Sequence, residues 1–254
     1  MDIIGLGPGH PAGLTKEAAD RLAAAEAVLG YGLYLEQAKP FLNPACLVYP
    51  SRMTQEMDRA EAALDLALSG KKAALVSGGD AGVYAMAGAV FELAAARKVN
   101  LSEGLERLEI KVIAGVPALI AGAALLGAPL THDFCAISLS DRLTPWPTIE
   151  KRLDLASQAG LVIALYNPKS HGRSWHLTRA AEILSQNLPP TTPVGLAARC
   201  GREGQNITLT TLADLPQSQV DMQTLVIIGN PTTFVYQGYL ITPRGYAQKY
   251  LKNQ

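Results

Sequence analysis

Short apolar runs alternate with longer stretches of helical period along the first half of the chain. Ile3-Ile4-Gly5 reads as a strand entering a glycine-rich turn, Gly5-Leu6-Gly7-Pro8-Gly9. Thr15 stands where an N-cap belongs, before an alanine-rich helix from Lys16 to about Ala25. Ala27 to Tyr31 is a second strand. Thr54 is the expected cap of a helix whose apolar stripe is Met57, Ala60, Leu64, Ala67 and Leu68. Glu56, Arg59, Glu61 and Asp65 fall largely off that stripe, and Gly70 is its stop. Ala73 to Ser77 is the next strand, then a helix from Val83 to Arg97 and a strand near Glu109–Ile113. This alternation predicts a mostly parallel sheet covered by helices.

Gly115-Val116-Pro117-Ala118 opens a helix of small residues that ends near Gly127, with its proline in the tolerated first turn. The domain boundary is expected here, dividing the chain into 1–115 and 116–254. Beyond it, strands are expected at Phe134–Leu139, Leu161–Tyr166, Pro193–Ala198, Ile207–Leu212 and Leu225–Gly229. Helices are expected at Ile149–Ala159 and Trp175–Asn187, with Asp141–Pro147 a loop. Ile207-Thr208-Leu209-Thr210 alternates as a half-exposed antiparallel strand does. The second half therefore reads as a mixed sheet with fewer helices, and the fold class as α/β in two domains.

Composition narrows the class. The chain has 254 residues, enough for one large or two small α/β domains with sizeable cores. Lys+Arg and Asp+Glu both number 22, a balance that argues against general nucleic-acid binding. Cys46, Cys135 and Cys200 are sparse, odd in number and without metal-type spacing, as in a reduced cytosolic protein. No secretory leader and no membrane span are expected; the most apolar stretch, Ala114 to Leu130, is broken by glycines and prolines.

The candidate chemistry centres on Ser77-Gly78-Gly79-Asp80-Ala81-Gly82-Val83-Tyr84, which follows a buried-type strand. Paired glycines at a strand end let a ligand approach the backbone. Asp80 can accept from backbone amides, cap a helix or receive a ligand's ammonium. Gly5-x-Gly7-Pro8-Gly9 fails the dinucleotide fingerprint: residue 10 is His10, no acid closes the second strand, and Pro8 lacks an amide. Adjacent residues on a strand point to opposite faces, so no direct His132–Asp133 pair is expected. His171 and His176 have no metal spacing; His10 and His132 are the histidines that could line a pocket. Asn167-Pro168 and Asn230-Pro231 each follow a strand, as turns or as two strand ends offering amides to a ligand. Arg52, Lys169, Arg173, Arg199, Arg202 and Arg244 fall in loops; if convergent, they would suit a substrate rich in carboxylates.

Taken in this order, Gly5-Leu6-Gly7-Pro8-Gly9, Ser77-Gly78-Gly79-Asp80, Gly115-Val116-Pro117-Ala118 and Pro193-Val194 resemble the tetrapyrrole methyltransferases, the class III S-adenosylmethionine-dependent family, over nearly the whole chain. The branch acting at C17 of precorrin-3B is most similar. Its resemblance runs through Leu29-Gly30-Tyr31, Leu126-Gly127-Ala128-Pro129-Leu130, His132-Asp133-Phe134, Ser138-Leu139-Ser140-Asp141, Leu165-Tyr166-Asn167-Pro168 and Thr242-Pro243-Arg244-Gly245-Tyr246.

That resemblance implies two α/β domains with S-adenosylmethionine in the cleft between them, a homodimer, a cytoplasmic enzyme and no protein-bound metal. It implies C17 methylation with ring contraction in cobalamin biosynthesis, on precorrin-3B or, in the alternative, on cobalt-factor III or another tetrapyrrole or diphthamide substrate. Gly78, Gly79, Asp80 and Val83 would hold the methionine end, and Pro117 and Ala118 would line the donor. Tyr166, Asn167, Leu196 and Asn230 would sit near the adenosine, and Pro8 near the reacting methyl. Asp141, His132, Tyr31 and Arg52 are the candidates for acid–base work. Three positions depart from the family: Ala81 follows Gly-Gly-Asp in place of proline, Pro117 stands where a hydroxyl residue is common, and Tyr31 replaces an acid found in relatives that methylate uroporphyrinogen.

Overall fold

The computed structural model describes residues 1–251 apart from Met53, Glu103, Leu105, Glu106, His171 and Arg173. His171 and Arg173, both named above, therefore lie outside the described residues. The chain divides into two compact units, Met1–Ala118 and Leu119–Gln254.

The first unit runs β1 (Asp2–Gly5), α1 (Lys16–Ala24), β2 (Ala27–Tyr31), α2 (Gly32–Ala38), β3 (Leu47–Ser51), α3 (Glu56–Leu68), β4 (Ala73–Ser77), α4 (Met86–Ala96) and β5 (Lys111–Ile113). The sheet order is β3-β2-β4-β1-β5, and every pairing is parallel. Parallel strands need helical crossovers, so both faces of the sheet are covered. On one face Ile4, Val28, Ala74 and Val76 pack against Ala18 and Leu22 of α1 and Leu35 and Ala38 of α2. On the other, Ile3, Leu29 and Leu75 pack against Ala60 and Ala63 of α3 and Met86, Ala87 and Val90 of α4. The alternation along each strand sets which face a residue serves.

Local chemistry explains the differences from expectation. Thr15 caps α1 as expected, its Oγ1 accepting from Ala18 N at 3.1 Å. Thr54 does not cap α3. It has φ of 74°, outside the extended region a cap requires, and Gln55 precedes the helix without a side-chain cap. Tyr84, at φ of 51°, delays the next helix until Met86. Met57 and Leu68 are exposed, so the buried face of α3 is Ala60, Ala63, Leu64 and Ala67, joined by Arg59. β3, unseen in the sequence pattern, carries Pro50; as an edge strand it tolerates the missing donor.

The second unit takes α5 (Ala118–Leu126), β6 (Gly127–Ala128), β7 (Phe134–Ser138), α6 (Trp146–Gln158), β8 (Val162–Tyr166), α7 (His176–Leu184), β9 (Pro193–Ala198), β10 (Asn206–Thr211), β11 (Thr224–Ile228), β12 (Phe234–Tyr236), β13 (Tyr239–Ile241) and α8 (Tyr246–Tyr250). Its main sheet has the order β10-β9-β11-β8-β7. β7 and β8 are parallel; the β8–β11, β11–β9 and β9–β10 pairs are antiparallel, so the sheet is mixed. One face packs on α6 and α7 around Ile149, Leu153, Leu177 and Leu184, and the other on α5. A Cβ on Gly122 of α5 would lie 2.7 Å from Leu225 Cδ2, so the helix sits close on the sheet. α6 starts three residues before the expected Ile149, with Pro147 in its first turn. Among the described residues no helix is long and apolar enough to cross a membrane.

Candidate active site

Three glycine-bearing loops meet at the carboxyl ends of β1, β4 and β5, where open α/β sheets bind ligands. Gly7 and Gly79 form an isolated bridge, with Gly7 N donating to Gly79 O at 3.0 Å and Gly79 N to Gly7 O at 2.8 Å. Both have positive φ, 72° and 68°, which glycine adopts without strain. The backbones are packed tightly. A Cβ on Gly5 would lie 2.7 Å from Gly79 O and 2.8 Å from Gly115 N, and one on Gly115 would crowd Gly79 O further. A Cβ on Gly78 would lie 2.5 Å from the ring of Tyr34.

Asp80 ties these loops together. Its Oδ1 accepts from Gly82 N at 2.8 Å and its Oδ2 from Gly115 N at 3.0 Å. A carboxylate has about four acceptor positions, so both oxygens keep capacity for a ligand cation. Pro117 Cα would stand 3.6 Å from a Cβ on Gly79, and Ala118 N 3.8 Å, which sets Pro117 and Ala118 beside that glycine. Val83 is half-buried in the turn after Asp80. Pro8 lies in the loop stitched by Gly7, against Gly13: a Cβ there would be 2.9 Å from Pro8 Cδ. Pro8, Gly78, Gly79, Asp80, Val83, Pro117 and Ala118 are thus grouped at one end of the first sheet. Tyr31 and Arg52 follow at the ends of β2 and β3, whose last paired residues are Tyr31 and Ser51.

In the second unit Tyr166, Asn167 and the C-terminal half of β9, with Leu196, share one end of the sheet. Tyr166 Oη accepts from Leu119 N at 2.9 Å, capping α5. Asn167, at φ of 53°, donates from Nδ2 to Ser138 Oγ at 2.9 Å. The Leu196 side chain is buried in the α6–α7 core, so only its backbone is available to a ligand. Asn230 lies at the other end. Because β8 and β11 are antiparallel, with Leu165 opposite Val226 and Ile163 opposite Ile228, their carboxyl ends point apart. About six residues of strand, or ~20 Å, separate the two asparagines. Both were expected near the adenosine; this pairing sets them at opposite ends of the sheet. The Asn230 Oδ1 accepts from Thr232 N at 3.0 Å and from the Thr232 and Thr233 hydroxyls, a local turn. A groove of about 410 Å³ lined by Pro189, Thr192, Pro193, Asn230 and Phe234 lies at that far end, away from Asn167.

The acid–base candidates divide too. Asp141, after β7, places Oδ2 3.0 Å from His176 Nε2. His176 is buried, stacked on Trp175 at 4.0 Å and edge-on to Trp146 at 4.7 Å, and neither ring nitrogen has hydrogen-bond geometry among the described residues. Sequence gave His176 no role. Its packing against two tryptophans, stacked on one and edge-on to the other, comes from tertiary structure that spacing does not encode. His132 stands before β7, at the opposite end of the strand from Asp141. It lies just outside the strand, so the strand rule does not separate it from Asp133, and Nδ1 approaches Asp133 Oδ2 at 3.7 Å. His10 is exposed and spends Nδ1 on Ala12 N. The loop cations fall apart likewise: Arg199 pairs with Asp221 at 3.6 Å near the Asn167 end, whereas Arg244 reaches Thr131 O. Burial raises all three thiols, Cys46, Cys135 and Cys200, above the ordinary range. Among the described residues no cluster of three or more His, Cys, Asp or Glu side chains could hold a metal ion.

Residues 3–216 match the sequence model of the tetrapyrrole (corrin/porphyrin) methylases. A probable cobalt-factor III C(17)-methyltransferase of Salmonella typhimurium is 48% identical over 246 residues, spanning 97% of this chain and 99% of that protein. A precorrin-3B C(17)-methyltransferase of a Sinorhizobium species is 42% identical over 253 residues, covering 96% of each. The crystal structure of the methyltransferase CobJ superposes with a TM-score of 0.88 at 37% identity, over 95% of this chain and 98% of that one. With two relatives above 40% identity along nearly their whole length, this chain belongs to the tetrapyrrole (corrin/porphyrin) methylase family.

Proposed function

We propose that this protein is an S-adenosylmethionine-dependent methyltransferase of cobalamin biosynthesis that methylates C17 of a precorrin-3B-type macrocycle, with contraction of the ring. The observation that carries this reading is near-full-length identity to two relatives that bear the same C17 reaction in their names. The greater identity, 48% against 42%, is to the relative named for the cobalt-loaded macrocycle. It favours cobalt-factor III as a second form of the substrate.

The residues fit the methyl donor. Gly78 and Gly79 carry no side chains of their own to keep a ligand from the backbone, and Asp80 retains acceptor positions for an ammonium. Gly78, Gly79, Asp80 and Val83 are assigned to the methionine end, and Pro117 and Ala118 to the wall beside it. Tyr166, Asn167 and the backbone at Leu196 are assigned to the adenosine. Asn230 is left out, since its carbonyl serves its own turn. When bound, the sulfonium supplies an electrophilic methyl group. The chain's own work is to hold the macrocycle in line and exclude water. Tyr31 at the end of β2, and Asp141 beside His176, are the groups we assign to moving protons during contraction. A guanidinium does not give up its proton, so Arg52 at the end of β3 is assigned to stabilising negative charge. The protein is further proposed to be cytoplasmic and homodimeric, the latter checked by sedimentation.

The test uses purified protein and methyl-labelled S-adenosylmethionine, offered precorrin-3B and cobalt-factor III separately. Label in either macrocycle at C17, read by mass and absorbance, supports the reading and picks the form. Label in neither, with the donor bound, would sink it.

A further inference from the structure

Arg59 is the one charged side chain in the described residues that is more than nine-tenths buried, at 8% exposure. It projects from α3 toward the carboxyl ends of β2 and β3. Nη1 donates to Ser51 Oγ at 2.6 Å, and Ser51 in turn donates to Gly30 O at 3.0 Å. Among the described residues Nη2 meets only the thioether of Met86, at 3.6 Å, and sulfur is a weak acceptor. Nε is sealed from solvent and has no partner among the described residues. No carboxylate among them comes within ion-pair distance; Glu56, one turn earlier, is exposed.

A buried guanidinium without an anion is costly, and proteins pair such charges. Desolvation here already pushes Arg59 below its ordinary pKa. The unserved edge is the one formed by Nε and Nη2, two parallel N–H groups whose spacing matches a carboxylate. Met86 covers that edge with an unbranched, adaptable side chain. Ser51, at the other side of the guanidinium, is half-exposed. Tyr31 pairs in register with Ser51, and the exposed Arg52 follows it.

We propose that the Nε–Nη2 edge of Arg59 is the receptor for one peripheral carboxylate of the macrocyclic substrate, which displaces Met86 as it docks at the ends of β2 and β3. The assignment of a polycarboxylate macrocycle rests on the function proposed above. Arg59 acts as a positioning residue that orients the ring, and takes no proton.

The test compares wild-type protein with Arg59→Leu and Arg59→Lys, all full length. Succinate stabilises folded proteins generally by exclusion, so wild type is expected to gain more in melting point from succinate over chloride at equal ionic strength than Arg59→Leu gains. In Arg59→Leu the KM for the macrocycle should rise about 10- to 100-fold, the scale of one charged hydrogen-bonded contact, with donor affinity unchanged. Arg59→Lys keeps the charge without the fork and should fall between. An unchanged KM in a folded Arg59→Leu overturns the proposal, as does a KM change that merely follows lost stability and lost donor binding. If Arg59→Leu does not fold, an unchanged KM in Arg59→Lys overturns it instead. A wild type that methylates neither macrocycle refutes the proposed function, while the Arg59-dependent succinate response still reads the carboxylate receptor on its own.

Discussion

At the residue scale, the strongest constraint is the contact of three backbones at Gly5, Gly79 and Gly115. Backbone cannot rotate away as a flexible side chain does, so a methyl at Gly115 must push the Gly79 loop aside. Overpacking of this kind costs about 1–3 kcal/mol. Gly115→Ala is therefore expected to lower stability by that amount and to weaken donor binding, read by urea unfolding and calorimetry. Gly88 is the control. It is exposed inside α4 and nothing lies within 4 Å of an added Cβ. Gly88→Ala should gain up to about 1 kcal/mol from helix propensity and leave binding alone. Equal losses in both variants would remove the close-packing account. The glycine motifs were legible in sequence as a ligand loop, but the partner each glycine needs was not. Gly79 and Gly115 meet only because β4 and β5 flank β1.

At the scale of elements, the apolar runs that form β1, β2, β4, β8, β9 and β11 were legible because buried strands read as unbroken hydrophobic segments. α2 and β3 were not. Gly32 opens the helix, and Leu47-Val48-Tyr49 is short, exposed and followed by proline. Arg59 was placed on the polar side of α3 from periodicity, yet the position of β3 buries it. The α6–α7 pair is joined by Glu150, whose Oε1 accepts from Arg179 Nε at 2.8 Å and Trp146 Nε1 at 2.9 Å. The Arg179 hydrogen bond first, and Trp146 second, hold the Glu150 carboxyl below its ordinary 4.5. A depressed carboxylate pKa adds stability above the ordinary value, and that stability is lost as pH falls through the folded value. Wild type should thus melt above Glu150→Gln at pH 7, and the gap should narrow and vanish as the medium is acidified below the ordinary carboxylate value. A gap that persists in acid would assign the effect to packing rather than to charge.

Over the whole molecule, each unit carries its own core. Strand order and direction are long-range properties, which is why the sequence could name Asn167 and Asn230 but not tell that antiparallel pairing sets them at opposite sheet ends. The stability a ligand adds gives a test of the donor site. A ligand that binds only the folded protein at about 100 times its Kd adds ~2.7 kcal/mol, or roughly 5–10 °C for a chain of this size. S-adenosylhomocysteine should raise the wild-type melting point by that much. Leu153→Ala, which opens a fully buried site in the second unit's core, should cost about 2–5 kcal/mol yet keep the ligand-induced rise. Asp80→Ala strips the acceptor from Gly82 N and Gly115 N and should cost about 1–3 kcal/mol. It should also abolish most of the rise, because the loops that face the donor lose their common anchor. A full ligand-induced rise in Asp80→Ala would assign this carboxylate to loop structure alone and move the methionine end of the donor elsewhere; a lost rise in Leu153→Ala would show that donor binding depends on the second core as well.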